Sequence, residues 1–373
     1  MTVTATTLPK TIRVMVVDDS ALMRKLLAQL LARSPEIEII DTAMDGQFAL
    51  DHLRRVRPDV ILMDIDMPRL DGLAALDRIV AEYSLPVVMC STRTTAGGQA
   101  TIEALARGAV DFIEKPSVEA LTSGEAAAEI ISRVRGAVGA RVVARRPPQN
   151  RPQTVAPLTA APAPISGNSR ATIEQIKKFA SGAMPELIAI GTSTGGPPAL
   201  EQVLAALPGD FPLGIVIVQH MPAGFTAMLA DHLNLISKIE IREAVNGETV
   251  RPGVALIAPG GAHLRVVQAK GHYVVTVDTR GPLISGHRPS VDALFESLVT
   301  ASRGHVAAVI MTGMGSDGAP AMAELHAQGG RTIAEAEETA IVWGMPGELV
   351  AAGGADWVLP LPQIAGWLRK VAP

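Results

Sequence analysis

Leu187-Ile188-Ala189-Ile190-Gly191-Thr192-Ser193-Thr194-Gly195-Gly196-Pro197-Pro198 is the stretch that decides how this 373-residue chain folds. An apolar, partly β-branched run meets a turn rich in hydroxyls and glycine, and Ala199 to Leu207 then carries apolar residues at helical spacing. The order is strand, tight turn, helix. Proline suits the first helical turn because its missing N–H would have no intrahelical acceptor there. A serine in such a turn looks out from the carboxyl end of a strand, beside free N–H groups and the positive end of a helix dipole. The turn can therefore cradle an anion, or seat a nucleophile and stabilise the oxyanion that it makes. Taken alone, the loop leaves both readings open.

Two later segments bear on the choice. Gly214 to Gln219 reads as a buried parallel strand, with His220 at its carboxyl end before Met221-Pro222 breaks the run. Val306 to Met311 is another apolar strand, followed by Thr312-Gly313-Met314-Gly315-Ser316-Asp317-Gly318 and a helical pattern from Ala319 to Gln328. In open α/β sheets ligands bind outside the carboxyl ends of the strands, so Ser193, His220 and Asp317 are expected to meet in one crevice. The chain order Ser, His, Asp is no objection, because such triads are defined by geometry and role.

Residues 12–120 alternate strand and helix in the same way. Ile12 to Val17 ends in Asp18-Asp19-Ser20, and Ala21 to Ala32 places Leu22, Leu26, Leu27, Leu30 and Leu31 on one helical face. Ile37 to Ala43 is a second strand and Gly46 to Val56 a helix; Val60 to Met63 then delivers Asp64, Pro86 to Cys90 delivers Ser91, and Val110 to Ile113 delivers Glu114-Lys115. Three carboxylates at neighbouring strand ends repel one another unless a cation relieves them. Oxygen-only ligands suit Mg²⁺.

Composition bounds the rest. A formal net charge of −4 gives no global attraction to nucleic acid, and no helix-turn-helix signature is present. Cys90 is the only cysteine, which excludes an intrachain disulfide and a multi-cysteine metal site. Met1 to Lys10 lacks a basic start with an apolar core, and no run reaches bilayer-spanning length, so no membrane insertion and a cytoplasmic location are expected. After Glu129 no Asp or Glu appears until Glu174, while Arg133, Arg135, Arg141, Arg145, Arg146, Arg151 and Arg170 accumulate among prolines. Residues 139–183 thus read as a basic, Pro-rich linker with a short helix from Ala171 to Phe179; it serves as a solvated tether or docks on an acidic surface.

Beyond the linker the βα pattern resumes. His263 to Val267 and His272 to Val277 alternate like a hairpin closed near Lys270-Gly271, an antiparallel excursion from a doubly wound, mainly parallel sheet. His263, His287, Arg288 and Ser290 are candidates for a substrate cleft, although His263 also fits a hairpin face and Arg288 a structural pair.

Val17-Asp18-Asp19-Ser20, Asp64-Ile65-Asp66-Met67-Pro68-Arg69-Leu70-Asp71-Gly72, Ser91 and Lys115-Pro116 together resemble a response-regulator receiver domain with flavodoxin-like strand order, here spanning residues 11–138. The resemblance implies that Asp64 accepts a phosphoryl group from a sensor histidine kinase. Asp18, Asp19 and Asp64 would hold Mg²⁺, and Lys115 and Ser91 would meet the phosphoryl oxygens. Phe112 stands at the aromatic switch position, where it offers a packing change but no hydroxyl. Residues 184–370 resemble the catalytic domain of the CheB family of protein-glutamate methylesterases, through Gly191 to Gly196, Gln219-His220-Met221-Pro222, Ala258 to Gly261, His287 to Ser290 and Thr312 to Gly318. That implies a serine esterase acting on γ-glutamyl methyl esters of chemoreceptors, with deamidation of receptor glutamines in many members and no cofactor for the ester step. Ser193 would be the nucleophile, His220 the base and then acid, and Asp317 the orienting carboxylate. Backbone N–H groups near Thr194 and Met314 would form the oxyanion hole. A receiver fused to an esterase is expected to pack over the crevice when unphosphorylated.

Overall fold

The computed structural model describes residues 11–92, 94–123, 126–142 and 184–372. The linker from 143 to 183 and the helix expected within it lie outside the described residues.

The first half begins with β1 (Ile12–Val17), α1 (Ala21–Leu31), β2 (Ile37–Ala43), α2 (Gly46–Leu53), β3 (Val60–Asp64) and α3 (Gly72–Tyr83). It continues with β4 (Val87–Ser91), α4 (Thr95–Arg107), β5 (Asp111–Glu114), α5 (Val118–Ser123) and α6 (Ala127–Ala137). All strand pairs are parallel, in the order β2-β1-β3-β4-β5. The order reverses at β1 and β3, which places Asp18 and Asp64 side by side at the switch point where such sheets bind ligands. Helix starts follow the local chemistry: Ser20, Asp45, Asp71 and Thr94 each accept a hydrogen bond from an N–H in the first turn that they cap.

The second half contains β6 (Leu187–Thr192), α7 (Gly196–Leu204), β7 (Gly214–Gln219), α8 (Phe225–Ile236), β8 (Glu240–Glu243) and β9 (Val254–Ile257). The hairpin β10 (His263–Ala269) and β11 (His272–Asp278) follows, then α9 (Val291–Ser302), β12 (Val306–Ile310) and α10 (Ala319–Ala327). The chain closes with β13 (Arg331–Glu335), α11 (Met345–Ala351), β14 (Trp357–Leu359) and α12 (Leu361–Val371). The large sheet runs β14-β13-β12-β6-β7-β9-β8, all parallel, and β10 and β11 pair antiparallel outside it. The expected excursion is therefore present, and β6, β7 and β12 are adjacent at the centre of the sheet.

Strands buried on both faces explain the unbroken apolar runs that identify them: β3, β6, β7 and β12 have no exposed residue. The two halves also share a core. One hydrophobic cluster runs from Ile102 and Phe112 through Phe225 and Leu229 to Ile190, and the Phe112 and Phe225 rings lie 4.7 Å apart.

Close backbone approach fixes Gly72, where a Cβ would fall 2.2 Å from the Asp64 carbonyl oxygen and 2.8 Å from Ile65 Cα. Neither atom can rotate away. Gly72→Ala is expected to destabilise the first half by about 1–3 kcal/mol and to slow acyl-phosphate labelling of Asp64; an unchanged urea midpoint would contradict this account.

Candidate active site

Ser193, His220 and Asp317 arrive from the carboxyl ends of β6, β7 and β12, and all three are buried. Ser193 Oγ lies 3.1 Å from His220 Nδ1, and His220 Nε2 lies 2.7 Å from Asp317 Oδ2. The alcohol, imidazole and carboxylate thus form one continuous hydrogen-bonded chain.

The carboxylate is the most heavily supported member. Ser290 Oγ donates to Asp317 Oδ1 at 2.8 Å, and the Val291 and Asp292 N–H groups at the start of α9 donate at 2.6 and 3.2 Å. Burial alone would raise its pKa, but His220, the Val291 N–H and the Ser290 hydroxyl outweigh that and hold it at about 2. The opposite happens next door, where burial and the negative Asp317 push Asp292 up to about 6.

The Ser193 turn is braced from within its own half. Thr192 Oγ1 donates to Gln219 Oε1 at 2.7 Å, and Gln219 Nε2 donates to the Ser193 carbonyl at 2.9 Å. Thr312 Oγ1 donates to the Thr194 carbonyl at 2.9 Å, while the Thr312 N–H is held at 2.8 Å by the buried Glu335 carboxylate. Gly195 has φ 77°, a left-handed value that a side chain would oppose, and two prolines occupy the first turn of α7. Gly313 passes so close that a Cβ there would lie 2.8 Å from Ser193 Cβ.

The remaining cleft candidates divide. His287 stacks on His220 with ring centroids 3.8 Å apart and an 11° interplanar angle, and burial together with His220 pushes its pKa down to about 3. It belongs to the site. Arg288 donates to the Gly281 carbonyl at 2.7 Å, and His263 Nε2 meets the Pro282 carbonyl at 2.8 Å, so both brace the 281–288 turn. Among the described residues, the Thr194 and Met314 N–H groups have no acceptor.

At the other cluster, Asp18, Asp19 and Asp64 bring carboxylate oxygens within 4.8 Å of one another, with Asp18 and Asp64 buried and Asp19 exposed. Lys115 bridges Asp64 and Asp18, lying 2.9 Å from the latter. Burial raises the Asp64 pKa, partly offset by Lys115; Lys115 is itself raised, because its two carboxylate partners outweigh the opposing effect of burial. Ser91 Oγ donates to the Gly97 carbonyl at 2.9 Å, inward toward the first turn of α4. Phe112 is buried in the chain as a whole and packs against Phe225 of the other half.

The two halves touch at the Ser193 turn. Thr194 Oγ1 donates to Asp111 Oδ2 at 2.5 Å, and the Gly195 N–H donates to the Val110 carbonyl at 3.2 Å. Asp111 is paired with Arg133 of α6 at 3.0 Å, and Arg133 Nη2 also donates to the His220 carbonyl at 3.4 Å. The first half thus packs against the Ser193 turn and the His220 carbonyl. The sequence reading missed Gln219 as a brace, Glu335 and Thr312 as anchors, Ser290 as the carboxylate donor, and the Asp111–Arg133 pair. Of these, only Ser290 stood in a quoted motif with a signal of its own, a capping residue before a helix.

Comparison with known proteins agrees with this geometry. Residues 188–368 match the family model for CheB methylesterase, and residues 14–123 match that for the response regulator receiver domain. The chain is 47 % identical over 356 residues to protein-glutamate methylesterase/protein-glutamine glutaminase 2 of Dechloromonas aromatica, covering 95 % of this chain and 96 % of that protein. It is 43 % identical over 362 residues to protein-glutamate methylesterase/protein-glutamine glutaminase 1 of Chromobacterium violaceum, covering 96 % and 99 %. The crystal structure of the Thermotoga maritima CheB methylesterase catalytic domain is 39 % identical and covers 50 % of this chain and 99 % of that one, with a TM-score of 0.49. With both domain models matched and nearly the whole length aligned, the chain belongs to the CheB methylesterase family and carries a response regulator receiver domain ahead of its esterase domain.

Proposed function

We propose that this protein hydrolyses γ-glutamyl methyl esters on chemoreceptors to glutamate and methanol, and deamidates receptor glutamines at the same centre. The observation that carries the proposal is the unbroken chain from Ser193 Oγ through His220 to Asp317, with links of 3.1 and 2.7 Å. His220 Nδ1 takes the proton of Ser193 as Oγ attacks the ester carbonyl, while Asp317 fixes the Nε2–H tautomer and stabilises the imidazolium. The Thr194 and Met314 N–H groups receive the oxyanion. Collapse expels methanol, which takes the proton from His220, and water repeats the sequence on the acyl-enzyme. With a glutamine substrate the leaving group is ammonia.

The 11–138 receiver, the 139–183 linker and the 184–370 esterase divide these tasks. Asp64 accepts a phosphoryl group from a sensor histidine kinase. The all-oxygen donor set of Asp18, Asp19 and Asp64 fits Mg²⁺, which would neutralise the transferring phosphoryl oxygens when bound. Lys115 is placed to exchange a carboxylate for the phosphoryl group, and Ser91 can turn from Gly97 to meet it. Phosphorylation then shifts the population away from the arrangement in which Asp111 and Val110 cover the Ser193 turn. Among the described residues no helix is long and apolar enough to cross a membrane.

Ser193→Ala is expected to abolish methanol release from methylated receptor membranes, a loss on the order of 10⁴-fold or more, while leaving Asp64 labelling intact. Residual release near the parent rate would sink the assignment. In the parent, acetyl phosphate with Mg²⁺ should raise the rate, and Asp64→Asn should not respond; equal responses would exclude Asp64 as the acceptor.

The Asp292–Asp317 pair makes a separate prediction. The Asp292 pKa is raised to about 6 from 3.8, so its contribution to stability is present at low pH and lost as pH rises through 6. Asp292→Asn removes that loss, and its stability relative to the parent should grow by about 1–2 kcal/mol between pH 4 and pH 8. Urea midpoints that keep a constant offset across this window would refute the shift.

A further inference from the structure

We propose that Thr194 Oγ1 and the Gly195 N–H form a carbonyl-binding subsite for the substrate, which the receiver fills with its own acceptors when the enzyme is closed. The inference rests on the methylesterase reading of Ser193. It starts from a contrast within one turn. Thr192 Oγ1, the Ser193 carbonyl and the Thr194 carbonyl are all satisfied inside the esterase half, by Gln219 and Thr312. The two donors that directly follow the nucleophile are satisfied only from outside it: Thr194 Oγ1 by Asp111 Oδ2 at 2.5 Å, and Gly195 N–H by the Val110 carbonyl at 3.2 Å. The turn is thus braced without the receiver and still presents two donors to whatever lies across the crevice.

The chemistry of the occupant follows from where its charge is balanced. The groups that balance the Asp111 carboxylate, Arg133 at 3.0 Å and the Phe112 N–H at 2.8 Å, belong to the receiver and move with it. Once the receiver departs, one hydroxyl and one amide N–H remain. A carboxylate held by neutral donors alone pays a heavy desolvation cost, whereas a neutral carbonyl needs only the hydrogen bonds. The subsite therefore takes an uncharged carbonyl oxygen, of the peptide backbone or of an amide or ester side chain, next to the ester under attack. The receiver then acts as a tethered competitor: it multiplies the apparent KM by the reciprocal of the open fraction and leaves kcat at saturation unchanged.

The full chain, activated with acetyl phosphate and Mg²⁺, is assayed for methanol release over a range of methylated receptor concentrations. Thr194→Val, which keeps the branched shape, should raise KM roughly five- to tenfold with kcat within about twofold of the parent, and Thr194→Ser should stay within about twofold on both. A parent-like KM in Thr194→Val, or a fall in kcat at unchanged KM, overturns the subsite. Without phosphodonor, Asp111→Ala made together with Arg133→Met, so that no buried cation is orphaned, should lower KM toward the activated parent value at unchanged kcat. A KM that stays at the unactivated parent value overturns the competition. An activated parent that releases no methanol, or a Ser193→Ala chain that releases as much, overturns the methylesterase reading itself, which the Thr194 variants do not test.

Discussion

A carboxylate removed from water must be repaid by donors, and the esterase half is arranged around repaying one. Asp317 is buried at the mouth of β12, and the groups that hold it ionised come from two directions: His220 after β7, and the start of α9, with its Ser290 cap hydroxyl and open N–H groups. Each donor fixes an element. The carboxylate aligns the start of α9 beside β12, and through His220 it aligns β7 and the Ser193 turn at the end of β6. Hydrogen bonds to a charged acceptor are stronger than neutral ones, and in a dry site their loss cannot be made good by solvent. Packing therefore has little freedom at this end of the sheet, and the neighbouring Asp292 bears the consequence by favouring its neutral form.

Most of the fold was legible because parallel strands buried on both faces write themselves as continuous apolar runs. Leu187 to Ile190, Gly214 to Val218 and Val306 to Ile310 needed no partner to be recognised, and the polar residues in the turn after each run were placed by the rule that ligands gather at carboxyl ends. Ser193, His220, Asp317 and the Asp18, Asp19 and Asp64 cluster were readable for that reason. Gln219, Thr312 and Glu335 were not, since a brace looks like any polar residue until the strand it reaches across to is known. Arg288 was ambiguous for the same reason: its contact with the Gly281 carbonyl depends on how the 281–288 turn doubles back.

The meeting of the two halves lay further beyond the sequence. Asp111 and Arg133 are 22 positions apart and give no periodic signal. Arg133 counted toward the basic bias after Glu129 but fell within the 11–138 receiver, and the structure places it on α6, half-buried between Asp111 and the His220 carbonyl, a contact that composition cannot show. Phe112 shows how regulation and packing can share a side chain. A ring that moves in response to Lys115, three residues along at the mouth of β5, must also disturb its contact with Phe225, at the start of the helix that follows His220. Asp111, which touches the Ser193 turn, opens β5, whereas Lys115 follows its last residue, so a change at Asp64 has the length of that strand to cross before it reaches the esterase half.

Pro197 and Pro198, at the start of α7, leave that helix with fewer main-chain hydrogens to offer than an ordinary one. Phosphate-gripping loops depend on a succession of such hydrogens converging on one group. Here the succession is broken just past Gly196, so the start of α7 has fewer converging donors to offer a phosphate group than such a loop has.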